Sequence, residues 1–255
     1  MNGSEANWDA ATYDRVSDPQ EEWGREVLAR LELGGSETVL DAGCGSGRVT
    51  RLLLERLPQG RVIGVDASPE MIDRARENLA DAGDRVELMV AGLTQLELAE
   101  PVDAIFSNAT FHWILNHGRL FQRLHAALRP GGVLEAQCGG EDNVAEWQRA
   151  IEAAEGDERF SAYLRGMPAA FNFASVGDTQ VRLERAGFAD VRAWLEPKRV
   201  EPSEPREFAR ASGLAKHLAL LPAELHDEFV DLVLGSMARP LVLEYVRLNI
   251  SARRP

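Results

Sequence analysis

The residues best able to do chemistry lie in VLDAGCGSG, residues 39 to 47. Val39 and Leu40 have the character of a buried strand, and Asp41 sets a carboxylate at its carboxyl end. Gly43, Gly45 and Gly47 strip side chains from the turn that follows, so a ligand can lie against bare main chain. In the dinucleotide-binding fingerprint the third glycine would fall at position 48, where this chain has Arg48, and a nicotinamide cofactor is therefore disfavoured. A carboxylate just before the turn would also oppose a pyrophosphate at low dielectric, whereas it suits a cation.

The next segment, RVIGVDASPEM, runs from Arg61 through apolar residues to Asp66. Asp66 falls about 20 residues beyond the glycines, where a carboxylate can accept both hydroxyls of a ribose. A ligand carrying an ammonium group, a ribose and an adenine fits both acids, and S-adenosylmethionine has all three. The competing reading, an ordinary strand, turn and helix with a surface aspartate, leaves the joint placement of Asp41, the three glycines and Asp66 to coincidence.

Short apolar runs alternate with longer amphipathic ones, which is the pattern of βα units around a mostly parallel sheet. Strands are expected at 37–42, 61–66, 86–90, 102–107 and 132–138, with two more at 188–195 and 242–252. Helices fit at 46–57, at 69–80 with Ser68 as N-cap and Pro69 in first position, at 117–129, and at 176–186 before Gly187. The fold class predicted is α/β, a doubly wound Rossmann-like sheet in one domain, whose ligands sit beyond the strand carboxyl ends. Residues 139–175 and 203–240 stand outside the alternation as helical inserts. They follow strands, so they read either as a lid with the N-terminal helices (about 1–32) or as helices covering the sheet edge.

At 255 residues and 45% hydrophobic content the chain can bury one large core. No apolar run approaches the length of a membrane span and the first residues are polar and acidic, so neither a membrane segment nor a signal peptide is indicated, and a cytoplasmic location is expected. Cys44 and Cys138 are the only cysteines, and free thiols fit better than a disulfide. No Cys/His cluster suggests a metal. A net charge of −13 without a lysine or arginine cluster argues against nucleic-acid and anionic-membrane partners, and leaves a small-molecule substrate. Lysine occurs only at 198 and 216, which fits either genome composition or adaptation to salt.

Residues 107–137, SNATFHWILNHGRLFQRLHAALRPGGVLEAQ, complete a pattern that resembles the class I S-adenosylmethionine-dependent methyltransferases, and within them the trans-aconitate methyltransferase group. The order Asn-Ala, aromatic-Trp, His, Leu-Arg-Pro-Gly-Gly and a final Gln carries the likeness. Trp8-Asp9-Ala10 with Tyr13, and Gly213-Leu214 followed by Leu-Pro, are similar too. The resemblance implies seven strands with the last antiparallel, and S-adenosylmethionine as cofactor. It assigns Asp41, Gly43, Cys44, Gly45 and Gly47 to the methionine half, Asp66 to the ribose, and Ala67 and Met71 to the adenine. Ser107, Asn108 and His112 would lie beside the sulfonium, with Tyr13 closing from the N-terminal helix, while Trp113 and Gln137 are core or site.

Two departures stand out. Where that group often has an acidic residue near the adenine amino group, this chain has Gly92, which leaves the backbone of Gly92 and Leu93 to recognise the ring. The insert before the last strand is short, and Phe208-Ala209-Arg210 stands where the group tends to have tryptophan.

Methyl transfer needs an in-line nucleophile and exclusion of water. The implied reaction is O-methylation of a small organic acid, whose carboxylate is already ionised near neutral pH. Methylation of a hydroxyl or carbon would need a base, for which His112 is the candidate; the alternatives for His112 are a substrate contact or a structural histidine bonded to backbone. A protein that binds the cofactor without turnover is the remaining alternative. Arg15, Lys216 and His217 are potential anchors for a substrate carboxylate, or solvated surface charges.

Overall fold

The computed structural model describes residues 18–167 and 171–255. Seven strands form one sheet, β1 (Thr38–Ala42), β2 (Arg61–Asp66), β3 (Val86–Val90), β4 (Val102–Asn108), β5 (Leu128–Gly139), β6 (Ala189–Val200) and β7 (Leu243–Arg253), in the order β3-β2-β1-β4-β5-β7-β6. The pairs among β1 to β5 are parallel, and β7 runs antiparallel to β5 from Val133 opposite Arg253 to Gly139 opposite Arg247. This is the class I methyltransferase sheet that the resemblance implies.

The chain gathers into two compact units, one of residues 19–141, 171–196 and 247–255, the other including 142–167 and 197–246. In the first, strand alternation splits the core. Leu40, Ile63, Ile105, Leu134 and Ile250 share one apolar cluster, while their neighbours Val39, Val62, Ala104 and Phe106 join Val27, Leu31, Leu53 and Leu57 in another. Successive strand residues point to opposite faces, so both faces of the sheet are covered, as a parallel sheet requires.

The helices of this unit start and stop for local reasons. These are α1 (Asp18–Arg30), α2 (Arg48–Glu55), α3 (Pro69–Asn78), α4 (His117–Ala127) and, after a longer interval, α6 (Val176–Arg185). Ser68 caps α3 by accepting the Met71 N–H at 3.2 Å, and Pro69 opens it. The sequence reading carried α4 on to residue 129, but the chain is extended from Leu128. Pro130 keeps the residue before it out of the helical region, and Gly131, at φ 82°, donates its N–H to Arg254 O at 2.7 Å. Arg30 ties α1 to the sheet: its guanidinium meets Glu135 Oε2 at 2.8 Å, Asn249 Oδ1 at 3.0 Å and Ala136 O at 3.1 Å.

The second unit is helical, with α5 (Ala145–Glu155) and α7 (His226–Gly235) as its longest elements. Its core joins Trp147, Ile151, Phe160, Leu214, Phe229, Val230 and Val233. Gly213 is needed there, because a Cβ would fall 2.6 Å from the Trp147 ring. Phe208 sets its edge to the same indole, centroids 5.9 Å apart. Among the described residues no helix is long and apolar enough to cross a membrane.

Candidate active site

The glycine turn closes the carboxyl end of β1. The N–H groups of Gly43 and Cys44 both reach Val65 O, at 2.7 and 3.1 Å, which holds the turn beside the end of β2. Gly43, Gly45 and Gly47 have φ of 88°, 53° and 83°, a region in which a side chain is strained. Their roles differ. A Cβ on Gly43 would lie inside the Thr110 side chain, and one on Gly47 would come within 2.8 Å of Leu79, whereas one on Gly45 would meet nothing within 4 Å. Gly43 and Gly47 therefore serve packing, and Gly45 alone of the three leaves main chain bare to open space.

Asp66 fastens this turn to α3. One carboxylate oxygen accepts the Gly45 N–H at 3.0 Å and the other accepts the Ser68 N–H at 2.9 Å. Burial raises its pKa, against the lowering effect of the Ser68, Gly45 and Ala67 amides. A carboxylate offers about four lone-pair sites, so these amides leave Asp66 some acceptor capacity.

Asp41 is 2% exposed and accepts the Thr50 hydroxyl at 2.6 Å. Burial pushes its pKa up to about 7; the Thr50 bond opposes this and the charge of Asp66 adds to it. Cys44 is buried beneath the turn, and its thiol pKa is raised by burial and by the charges of Asp41 and Asp66. Met71 is buried and Ala67 exposed. Gly92 has no neighbour within 4 Å of where a Cβ would stand, while the Leu93 side chain lies in the core. Main chain at 92 is thus open to a ligand.

At the end of β4, Ser107 is fully buried and spends its hydroxyl on Ala42 O at 2.6 Å, joining β4 to β1. Asn108 is half-buried at the strand terminus. Ala109 follows at φ 57°, and its N–H is held by Gln137 O at 2.8 Å. Thr110, which sequence reasoning passed over, bonds Asn108 O at 3.0 Å and Gly43 O at 3.3 Å, so it links the two ligand-facing strand ends. Its only signal in the sequence is a small hydroxyl residue just after Asn-Ala.

His112 lies in the short turn Phe111–Trp113 and is 8% exposed. The Gly139 N–H points at its Nδ1 at 3.2 Å. Its ring stacks near Phe171 and Phe173, centroids 6.0 and 5.9 Å away, with Trp113 at 5.2 Å. Asn172 secures this aromatic strap by donating its N–H to His112 O at 2.8 Å. Gln137 is buried between Asn249 Oδ1 at 3.3 Å and Arg247 Nε at 3.1 Å, as part of the core network rather than an open surface. In the helical unit, Lys216 is half-buried and its pKa is lowered by burial. His217 is committed to Glu155 Oε1 at 2.8 Å and stacks on Phe229. Tyr13 and Arg15 lie outside the described residues.

A bare Gly45 backbone, the remaining lone pairs of Asp66 and open main chain at Gly92 fit S-adenosylmethionine. They offer in turn a bare main-chain surface, a carboxylate with spare acceptor capacity and an open main-chain edge. The family model described as a methyltransferase domain matches residues 39–132, the stretch from β1 into β5. Sheet, turn and match together define a class I S-adenosylmethionine-dependent methyltransferase, an enzyme that transfers the sulfonium methyl group.

The trans-aconitate 2-methyltransferase of Methylobacterium nodulans is 32% identical over 262 aligned positions, covering 98% of this chain and 99% of that one. The chain belongs to the trans-aconitate methyltransferase family. The enzyme of that name from Azoarcus sp. is 45% identical over 130 residues, 51% of this chain and only 50% of its own length. In fold, the chain is similar to phosphoethanolamine N-methyltransferase 2 of Haemonchus contortus, solved in complex with S-adenosyl-L-methionine, with a TM-score of 0.62 at 20% identity over 96% of this chain and 56% of that one.

Proposed function

We propose that the acceptor is a carboxylate of a small organic acid, methylated on oxygen, and that trans-aconitate is the first acid to test. The observation that carries this reading is the end-to-end likeness to the Methylobacterium nodulans trans-aconitate 2-methyltransferase. The chemistry agrees with it. A carboxylate is ionised at neutral pH and attacks the sulfonium methyl carbon through an oxygen lone pair while the carbon–sulfur bond breaks, so no proton has to be removed. The protein's share of the work is to hold donor and acceptor in line and keep water away.

On this reading Asp66, Gly45, Gly92 and Leu93 position the cofactor, Asn108 and His112 lie beside the reacting methyl group, and Asp41, Ser107 and Thr110 hold the strand ends in place. Tyr13, Cys44, Ala67 and Met71 complete the proposed cofactor surroundings, and Gly43 and Gly47, assigned there by the resemblance, shape the turn through their packing instead. The partner is a small molecule, and the acidic chain disfavours polyanions. The two cysteines, both buried and unbridged, suit the reducing cytoplasm.

The test is mass spectrometry after incubation with isotopically labelled S-adenosylmethionine and a panel of di- and tricarboxylic acids, beside matched alcohols and phenols. A labelled monomethyl ester of an acid is the expected product. Label appearing only on hydroxyl or carbon acceptors would replace the reading, and tight cofactor binding with no label on any acceptor would make the protein a non-catalytic binder.

A further inference from the structure

We infer that His117 is a positioning residue for methyl transfer: as a neutral ring it holds the turn after β4 in place through Phe111 O, and on taking up a proton it lets that turn go. His117 opens α4 and is 2% exposed, too little to meet a ligand. Its Nε2 lies 2.9 Å from Phe111 O. A carbonyl can only accept, so Nε2 carries the hydrogen and Nδ1 is left with a lone pair. Nδ1 is buried and has no hydrogen-bond partner among the described residues. Phe111 begins the turn Phe111–Trp113, which carries His112 just beyond the carboxyl end of β4, the edge at which open α/β sheets bind ligands. The His117 ring also packs on Phe121, centroids 5.6 Å apart, and Phe121 meets Phe111 edge-on at 6.0 Å, so one buried bond and one aromatic contact join turn to helix.

A proton on Nδ1 would make a buried N–H without an acceptor, and a cation at the first position of a helix, where the dipole disfavours positive charge. Arg182 of α6 adds its own charge against it. Around the ring, α6 brings Arg182 with Asp178 at 3.2 Å from its Nη2, the turn brings His112, and β5 brings Cys138, whose thiol burial pushes up to about 12; the segment Leu93–Gln95 brings no ionisable group. On the same helix, Arg123 is paired with Glu97 at 3.1 Å. Burial therefore lowers the pKa of His117 below the ordinary 6.5, against the raising effect of the Phe111 bond. The hold on the turn is complete above 6.5 and is lost as pH falls below it, because the ring must swing towards water to keep its proton and the Phe111 bond goes with it.

The kinetic test uses whichever acceptor the wild-type protein labels, so the inference rests on methyl transfer and not on the acceptor being a carboxylate. His117→Phe keeps the aromatic packing and loses the bond; its kcat at pH 8 should fall about three- to tenfold, with the KM of cofactor and acceptor changing less. His117→Gln, whose amide reaches about as far as Nε2 and takes up no proton, should recover most of that loss and stay active to a pH about one unit or more below the wild-type limit. An unchanged kcat in His117→Phe at pH 8, or the same acid limit in wild type and His117→Gln, would overturn the inference.

A second measurement needs neither a folded variant nor an acceptor. Nitrogen-15 NMR of wild-type protein bound to S-adenosylhomocysteine, with His117 assigned through its backbone, should show a hydrogen on Nε2 and none on Nδ1 at about pH 8. On acidification the ring should titrate with a midpoint below 6.5, and the Trp113 indole signal should shift with it. A hydrogen on Nδ1, a midpoint at or above 6.5, or a ring that titrates while Trp113 stays unmoved would overturn the inference. Failure of the carboxylate reading would show elsewhere, as wild-type protein that methylates no acid in the panel.

Discussion

Thr50, in the first turn of α2, donates its hydroxyl to the Asp41 carboxylate across 2.6 Å, so the acidic end of β1 is fixed to the helix beyond the glycine turn. The bond lowers the pKa of Asp41, but burial outweighs it and pushes the value up to about 7.

That imbalance has a pH signature. The folded-state pKa lies above the ordinary 3.8, so the fold binds more proton than the unfolded chain between those values. Stability from this group is full below the ordinary pKa and is lost as pH rises towards 7, by at most about 1.4 kcal/mol per pH unit. Asp41→Asn cannot ionise, so its melting temperature relative to wild type should improve between pH 5 and pH 8. An equal difference at both pH values would show that Asp41 is ionised throughout.

The glycines should separate fold from ligand. Gly43→Ala should destabilise the protein by about 2–4 kcal/mol, combining left-handed strain with overpacking against Thr110, and Gly43→Ala with Thr110→Ala should regain part of it. Gly45→Ala carries the strain alone, about 1–2 kcal/mol. It should nonetheless lose more affinity for S-adenosylhomocysteine than stability. Thermal denaturation and titration calorimetry read the two effects, and equal losses of affinity in both single variants at matched stability would contradict the division of roles.

Asp66→Ala should weaken cofactor binding by about 2 kcal/mol, the worth of two charge-assisted hydrogen bonds partly replaced by water. It also removes the acceptor for the Gly45 and Ser68 amides. Asp66→Asn keeps one oxygen and should fall between. Calorimetry showing wild-type affinity in Asp66→Ala would remove Asp66 from the cofactor site.

The sheet was legible because each strand is a short apolar run with its own turn signal, and β1, β2, β3, β4 and β7 fall within about a residue of their expected ends. The glycine turn and its two acids were legible for the same local reason. What escaped the sequence depends on partners far along the chain. Gly43 is a glycine because Thr110 packs on it, 67 residues away, and Arg30 finds Glu135 across 105. The Ser107 hydroxyl is taken by Ala42 O, which no spacing rule reveals. The backbone bond to His112 was among the readings the sequence offered, but its partner, the Gly139 N–H of β5, is 27 residues away and has no local signal. The start of β5 was missed because Leu-Arg-Pro-Gly-Gly looks like a turn, whereas Leu128 pairs with Val102 of β4 and the Gly131 N–H reaches Arg254 O.

Cys44 and Cys138 give this fold a sentinel. Both are buried; burial pushes the Cys138 thiol up to about 12, and the Cys44 thiol is raised as well, beneath the turn and beside two acids. Only the thiolate reacts with a disulfide reagent, so neither sulfur is chemically visible while the sheet is closed. Consumption of such a reagent by native protein therefore counts openings of the strand ends, Cys44 marking β1 and Cys138 marking β5, and the molecule carries its own clock for local unfolding.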